Sequence, residues 1–144
     1  MPDDGVYIDT SVLGAYYCPE ASSATAEHAL RQVAAPVIST LTEVEFCSLI
    51  ARKRRLRELS ERQAGEILNL FGVHVAEGYY RRIALTTQHF LTARQLVGAP
   101  KSALRTLDAL HLAAAITEAL AVMTADRDLA KAAKRHKARV ILVK

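Results

Sequence analysis

The sequence has no tryptophan, only two cysteines and no long apolar run, and each absence narrows what the chain can be. A membrane-spanning helix needs roughly 20 consecutive apolar residues, and no stretch of the sequence approaches that length. The first residues are acidic and lack the basic start and apolar run of a signal peptide. We therefore expect a cytoplasmic protein with no membrane partner.

The scarcity of cysteine also limits the kinds of stabilisation available. Cys18 and Cys47 form no CxxC pair and no cluster with histidine, which argues against a zinc site. In a reducing compartment we expect both to be free thiols that pack as small hydrophobic side chains.

The remaining composition is that of a globular domain. The 144 residues are 51 % hydrophobic and 24 % charged, a balance typical of globular proteins. A chain of this length can bury roughly two-thirds of the surface exposed when unfolded, so we predict one domain, residues 1–144. The formal net charge of +4 permits a polyanionic partner without proving one.

Short apolar runs alternate with longer helical patterns along the chain. Runs rich in valine and isoleucine predict strands at residues 6–8, 36–38, 73–75, 121–124 and 139–143. Helices are predicted over about residues 22–33, 41–56, 60–71, 79–97, 102–120 and 126–136. Since strands without clear alternation suit a sheet buried on both faces, the pattern predicts an α/β fold. The expected architecture is an α/β/α sandwich around a parallel sheet of about five short strands.

Acidic residues stand where several predicted strands end. Asp9 follows the first strand and Asp126 the fourth, while Glu43 and Glu45 follow the second. In parallel sheets the carboxyl ends of strands share an edge, where binding sites form. Each acid also has an ordinary explanation, because aspartate caps helices and glutamate suits a first helical turn. Asp128 adds a second carboxylate beside Asp126, and such pairs repel unless a cation lies between them.

Helical geometry and burial limit which of the remaining acids can belong to a shared site. Glu43 and Glu45 are separated by about 200° of helical rotation, so at most one of them faces a shared site. Asp108 lies in the apolar helical stretch 107–116, which we expect to be largely buried. A lone buried carboxylate is costly, so either a metal ion or a basic partner must compensate it. Arg105 and His111, each three positions away, are candidates for that partner.

The combination of these acids favours a hard cation. Oxygen ligands without cysteine or histidine neighbours select Mg²⁺ or Mn²⁺. Such an ion suits phosphoryl transfer, because it polarises the scissile phosphate and activates a water for in-line attack.

Four segments resemble the motifs of the PIN domain, and within that family the VapC-type ribonuclease toxins of bacterial toxin–antitoxin pairs. The resemblance covers nearly the whole chain, and its motifs are strong in this order and spacing. The segments are YIDTS (residues 7–11), STLTEVE (39–45), LDALHLA (107–113) and TADRDL (124–129). The second motif has a serine followed six residues later by an acidic ligand, which favours Glu45 over Glu43.

The resemblance implies a Mg²⁺- or Mn²⁺-dependent endoribonuclease that hydrolyses RNA phosphodiester bonds. Its catalytic metal ligands would be Asp9, Glu45, Asp108 and Asp126, with Asp128 as an accessory ligand. Thr10, Ser11 and Thr124 would orient the carboxylates, although Ser11 stands where many relatives carry asparagine. The implied partners are RNA, a second copy of the chain, and a cognate antitoxin that inserts a peptide, with an arginine, into the acidic groove.

Basic residues supply candidates for RNA contacts. The run 52–57 follows Glu45 on the same predicted helix, and Arg52 and Arg55 are its candidate phosphate contacts. The alternative is a solvated helix end, where cations suit the dipole. Arg105, one turn before Asp108, is the basic residue expected nearest to the scissile phosphate. We expect His111 to be packed or ion-paired and not a general base.

Two other functions compete with the nuclease. A catalytically silent PIN-like module would bind RNA or protein without cutting, and the complete acidic set disfavours it. A phosphoacceptor of the response-regulator type would have an acidic pair after the first strand, whereas Asp3 and Asp4 precede it.

Overall fold

A five-stranded parallel sheet forms the centre of the protein in a computed structural model that describes residues 5–144. Residues 1–4 lie outside the described residues. They include Asp3 and Asp4, on which the arguments against a signal peptide and against a phosphoacceptor partly depend. The elements in chain order are β1 (Gly5–Ile8), α1 (Thr10–Tyr17), α2 (Ser23–Arg31), β2 (Ala35–Ser39), α3 (Thr40–Arg55), α4 (Glu61–Ala76), β3 (Arg81–Ile83), α5 (Thr87–Gly98), α6 (Thr106–Thr117), β4 (Ala121–Thr124), α7 (Arg127–Arg135) and β5 (Val140–Leu142).

The strands lie in the order β3-β2-β1-β4-β5, and every neighbouring pair is parallel. The chain builds outward from β1 to β3 on one side and then crosses to β4 and β5 on the other. The order therefore reverses between β1 and β4. In open parallel sheets, ligand sites form beyond the carboxyl ends of the strands at such a reversal.

Successive residues of each central strand enter different cores, because side chains alternate across a sheet. Tyr7 and Val122 pack on the face covered by α5, α6 and α7. Ile8 and Met123 pack on the face covered by α1, α2, α3 and α4. All four side chains are almost completely buried. The predicted α/β/α sandwich around a parallel sheet is confirmed, and the burial of both faces explains why the strands lack a clear polar alternation.

The third predicted strand was wrong. Residues 73–75 lie in the last turns of α4, whose inward residues Ala64 and Phe71 have helical spacing. The third strand is β3, where exposed Arg81 and Arg82 form a sheet edge. An edge strand pairs on one side only and tolerates charged residues, so β3 lacks the apolar signature used for the prediction.

Two helix predictions also require correction. Residues 79–97 do not form one helix, because β3 precedes α5 within that range. Ser102 does not cap α6, which begins at Thr106 with Arg105 in the N-cap position. The capping box at Ser60 is confirmed, since its hydroxyl accepts a hydrogen bond from the Gln63 amide at 3.0 Å.

Helices α1 and α3, which carry residues of the site, approach each other very closely. A Cβ atom on Gly14 would lie 2.7 Å from Cδ2 of Leu49, so a larger residue at position 14 would force the Leu49 side chain to move. Both cysteines are free as expected, but only Cys18 is buried, while Cys47 is exposed. Within residues 5–144, no helix combines the length and apolarity needed to cross a membrane.

Helix α6 ends with a non-glycine residue in the left-handed conformation. Ala119 has a φ of 56°, and the next amide, of Leu120, donates to the Ala115 carbonyl at 2.8 Å. This is the Schellman arrangement, in which the left-handed position favours glycine. The Cβ of Ala119 therefore strains the backbone at an exposed site.

We expect Ala119→Gly to raise the free energy of unfolding by about 0.5–1 kcal/mol, because the strain is removed. The corresponding rise in Tm is about 2–4 °C, measured by circular dichroism. The same substitution at the exposed helical position Ala24 should lower stability by about 1 kcal/mol. Equal effects at the two positions would contradict the backbone explanation.

Candidate active site

An open cleft of about 360 Å³ lies where the order of the strands reverses. Four elements bring carboxylates to it: the end of β1, helix α3, the first turn of α6 and the exit of β4. The lining residues are Asp9, Thr10, Ser11, Glu45, Ser48, Leu49, Arg52, Leu107, Asp108 and Asp126. The four acids singled out in the sequence are thus all at one place.

Asp9 forms the floor of the cleft and is only 6 % exposed. It occupies the N-cap position of α1, but its side chain makes no capping hydrogen bond. Instead its Oδ2 accepts hydrogen bonds from the hydroxyls of Ser11 at 2.6 Å and Thr124 at 2.9 Å. The helix-cap explanation left open by the sequence therefore does not account for this carboxylate.

Asp126 has two roles. Its Oδ1 accepts hydrogen bonds from the amides of Asp128 at 2.8 Å and Leu129 at 3.3 Å, so it caps α7. Its own amide donates to Oγ1 of Thr124 at 3.0 Å. Because Thr124 also contacts Asp9, one buried hydroxyl links the exits of β1 and β4.

Glu45 is held by two donors on its Oε1 atom. The Thr10 hydroxyl donates at 2.8 Å, and Nε2 of His111 contacts the same oxygen. Burial opposes ionisation, but the hydrogen bond and charge of His111 outweigh it and lower the pKa of Glu45. Burial likewise opposes protonation of His111, while Glu45 and Asp9 raise its pKa overall. The expectation that His111 is ion-paired thus agrees with the structure.

Glu43 points elsewhere, as the helical rotation requires. Its carboxylate pairs with the guanidinium of Arg82, with hydrogen bonds of 2.9 and 3.0 Å. The structure therefore places Glu45, and not Glu43, in the cleft.

Asp108 differs from the sequence-based expectation of deep burial. It lies in the first turn of α6 and is half-buried. Among residues 5–144 its carboxylate has no ion pair, because His111 contacts Glu45, and Arg105 is exposed at the N-cap. Burial and then the negative charges of Asp126 and Asp9 raise the pKa of Asp108. The shift shows that several carboxylates act on one another electrostatically.

Among residues 5–144, no three Asp, Glu, His or Cys side chains lie close enough together to hold a metal ion as they stand, but the chemistry of the donors in the cleft fits a divalent cation. Hydrogen bonds occupy Oδ2 of Asp9, Oε1 of Glu45 and Oδ1 of Asp126. The other oxygens of Glu45 and Asp126 remain for a ligand, whereas Oδ1 of Asp9 lies 3.8 Å from Nε2 of His111. All-oxygen donors of this kind match Mg²⁺ or Mn²⁺.

The remaining candidates lie around this cleft. Arg52 lines it and is exposed, whereas Arg55 is exposed further along α3. Asp128 is exposed in the first turn of α7 and lines a neighbouring cavity together with Asp108, Lys131 and Arg135. It therefore does not share the cleft with Asp9 and Glu45.

The sequence argument missed the buried side chains that support Glu45. Tyr7 was treated only as a strand residue, yet its hydroxyl lies 2.6 Å from Nδ1 of His111. Ser39, noted as the start of a motif, lies 2.8 Å from the same hydroxyl. A tyrosine within an otherwise aliphatic strand was the available signal, because a buried hydroxyl requires a partner.

Asp108→Asn should raise Tm in the absence of divalent ions by about 2–4 °C, the shift that about 1 kcal/mol gives in a domain of this size. The ionised carboxylate is disfavoured in the folded state, so it destabilises the protein once the pH exceeds the ordinary pKa of 3.8. The gain should therefore be largest near neutral pH and shrink on acidification. Asp128→Asn is the matched control and should give no gain. A lower Tm for Asp108→Asn at neutral pH would contradict carboxylate repulsion.

Comparison with known proteins supports the family suggested by the motifs. The PIN domain profile matches residues 6–135 of the chain. Comparison with curated protein sequences gives no significant match.

Solved structures share the fold at low sequence identity. FitAcB from Neisseria gonorrhoeae has a TM-score of 0.71 and 17 % identity, covering 94 % of this chain and 96 % of that chain. VapC20 from Mycobacterium tuberculosis, a sarcin–ricin loop cleaving toxin, has a TM-score of 0.68 and 19 % identity over 88 % and 94 % of the chains. VapBC2 from Rickettsia felis, bound to a promoter DNA fragment, has a TM-score of 0.68 and 13 % identity over 97 % and 99 %. With the profile match over most of its length, the chain belongs to the PIN domain family.

Proposed function

We propose that this PIN domain is a divalent-metal-dependent endoribonuclease and the toxin of a toxin–antitoxin pair. The observation that carries the proposal is the convergence of four carboxylates in one open cleft. Within residues 5–144 the ion pairs place no arginine or lysine against these four acids. The basic group that does pair with them, His111, contacts Glu45 and Asp9, which leaves Asp108 and Asp126 without a basic partner among the described residues.

Asp9, Glu45, Asp108 and Asp126 would hold the metal, with Asp128 as an outer, accessory acid. A bound Mg²⁺ or Mn²⁺ would supply Lewis-acid polarisation of the scissile phosphate and make water acidic enough to attack it. The open cleft and the mutual repulsion of the acids both suit a cation that is bound together with substrate.

The surrounding side chains would orient the acids. Ser11 and Thr124 hold one oxygen of Asp9, and Thr10 holds one oxygen of Glu45. Each hydroxyl leaves the second oxygen directed to other ligands, which limits the rotation of the carboxylate. Burial of Asp9 at the floor of the cleft lowers the local dielectric and strengthens these interactions.

Basic residues at the rim would bind the RNA backbone. Arg52 lines the cleft itself, one to two helical turns beyond Glu45 on α3. Arg55 and Arg105 are exposed at greater distance from the floor and would contact flanking phosphates. Arginine suits this role because its planar guanidinium donates two hydrogen bonds to one phosphate.

RNA is the proposed substrate and an antitoxin the proposed partner because solved proteins with the same fold are toxins of toxin–antitoxin pairs or their complexes. VapC20 is described as cleaving the sarcin–ricin loop, and VapBC2 as bound to a DNA fragment from its promoter. An acidic, open cleft also fits an arginine-bearing peptide from an antitoxin, which would occupy the position of the metal and substrate.

Isosteric substitutions of two cleft acids, on α3 and at the end of β1, test the proposal sharply. We expect Glu45→Gln and Asp9→Asn to lower kcat for Mg²⁺-dependent RNA cleavage by at least about 100-fold, because a loss of about 3 kcal/mol of transition-state stabilisation has that effect. Glu43→Gln, two residues away but outside the cleft, should retain activity.

The same variants can be compared in cells. Sequencing of RNA ends after induced expression should reveal discrete cleavage sites for the wild type and none for Asp9→Asn. A folded wild-type protein that binds RNA but does not cut it with Mg²⁺ or Mn²⁺ would instead indicate a silent binding module.

Arg52→Ala should weaken RNA binding and reduce the slope of log K against log salt by about 1, as expected for the loss of one phosphate contact. Arg54→Ala is the matched control on the same helix, since Arg54 lies 3.8 Å from Glu61 on α4. Fluorescence anisotropy with labelled RNA at several salt concentrations measures the binding constant and its dependence on salt. Identical slopes for wild type and Arg52→Ala would show that Arg52 does not contact the RNA backbone.

A further inference from the structure

A buried chain of polar side chains runs beneath the cleft and ends at Glu45. The Tyr7 hydroxyl lies 2.8 Å from Oγ of Ser39 and 2.6 Å from Nδ1 of His111. The opposite ring nitrogen, Nε2, contacts Oε1 of Glu45. Tyr7 and Ser39 are 0 % exposed and His111 is 1 % exposed, so water does not share these contacts.

The direction of the hydrogen bonds follows from the chemistry of the groups. An ionised Glu45 can only accept, so Nε2 of His111 must carry a hydrogen. In the imidazolium Nδ1 donates to the Tyr7 oxygen, and in the neutral ring it accepts from the Tyr7 hydroxyl, so the contact is made in either state. The Ser39 and Thr42 hydroxyls lie 2.8 Å and 3.2 Å from the same Tyr7 oxygen. Both ring nitrogens are thus fixed, which sets the plane of the imidazole.

We propose that Tyr7 is a positioning residue that acts through His111 to fix the Glu45 carboxylate for metal binding. The inference rests on the proposed function, since it assigns a support to one of its metal ligands. Packing alone does not explain Tyr7, because phenylalanine would fill the same space without a buried hydroxyl. That hydroxyl joins Ser39 to Nδ1 of His111 and so holds the ring whose Nε2 contacts Glu45.

The chain contains a matched control. The Tyr17 hydroxyl lies 2.6 Å from Nδ1 of His74 and 2.7 Å from the Tyr80 hydroxyl. Tyr17 is also buried, at 9 % exposure. This second tyrosine–histidine pair joins α1 to α4 and includes no residue of the cleft.

The test compares Tyr7→Phe with Tyr17→Phe in the full chain by isothermal titration with Mn²⁺ alone. Both variants should lose thermal stability, because each removes a buried tyrosine hydroxyl that is hydrogen-bonded to a histidine nitrogen. Only Tyr7→Phe should weaken Mn²⁺ binding, by about 10-fold or more, as for other groups that orient metal ligands. Equal Mn²⁺ affinity of Tyr7→Phe and wild type would overturn the inference.

A spectroscopic measurement on the wild type covers the case in which Tyr7→Phe does not fold. Addition of Mg²⁺ should move the ¹⁵N resonance of His111 Nε2 and leave that of His74 unchanged. An unchanged ¹⁵N chemical shift of His111 Nε2 at saturating Mg²⁺ would overturn the inference. If the wild type neither binds Mn²⁺ nor cleaves RNA, the proposed function itself fails. If it does both while Tyr7→Phe matches it, only the positioning role is rejected.

Discussion

Mutual repulsion among the carboxylates of Asp9, Glu45, Asp108 and Asp126 is the constraint around which the cleft is arranged. Four acids on four elements share one open space, and burial, followed by the charges of Asp126 and Asp9, raises the pKa of Asp108. A fold under selection for stability alone would separate or neutralise them. Their convergence is costly, and a divalent cation is the simplest agent that makes it favourable.

The rest of the molecule provides the free energy and rigidity that this arrangement requires. Hydrophobic cores on both faces of the sheet hold the helices that carry Glu45 and Asp108. The close contact of Gly14 with Leu49 brings α1 and α3 together, so Thr10 reaches Glu45. The reversal of strand order between β1 and β4 leaves a crevice for the cleft.

Buried hydroxyls and one histidine connect the rigid core to the carboxylates and fix their orientation. Ser11 and Thr124 fix Asp9, while Tyr7 and His111 support Glu45 from below. Asp9, Glu45 and Asp126 therefore each have one oxygen held by the protein, and the lining of the cleft depends on groups far apart in sequence. Such polar networks are favourable only when every member is satisfied, and no buried side-chain polar atom among residues 5–144 lacks a partner.

The sequence by itself determined the fold class, because strand periodicity is a local pattern, and the resemblance of its motifs to those of the PIN domain supplied the set of four acids with Glu45 in place of Glu43. The sequence failed to predict β3. This strand carries exposed arginines because it lies at the edge of the sheet, and its edge position is known only from its pairing with β2. The sequence also left Asp9 ambiguous between a helix cap and a ligand, and Asp108 between an ion pair and a metal site. Only the tertiary structure excluded the helix cap for Asp9 and the ion pair with His111 for Asp108, since Asp9 accepts hydrogen bonds from Ser11 and Thr124 and His111 contacts Glu45. Hydrogen-bond partners more than 30 residues apart depend on how the layers pack, which no local spacing encodes.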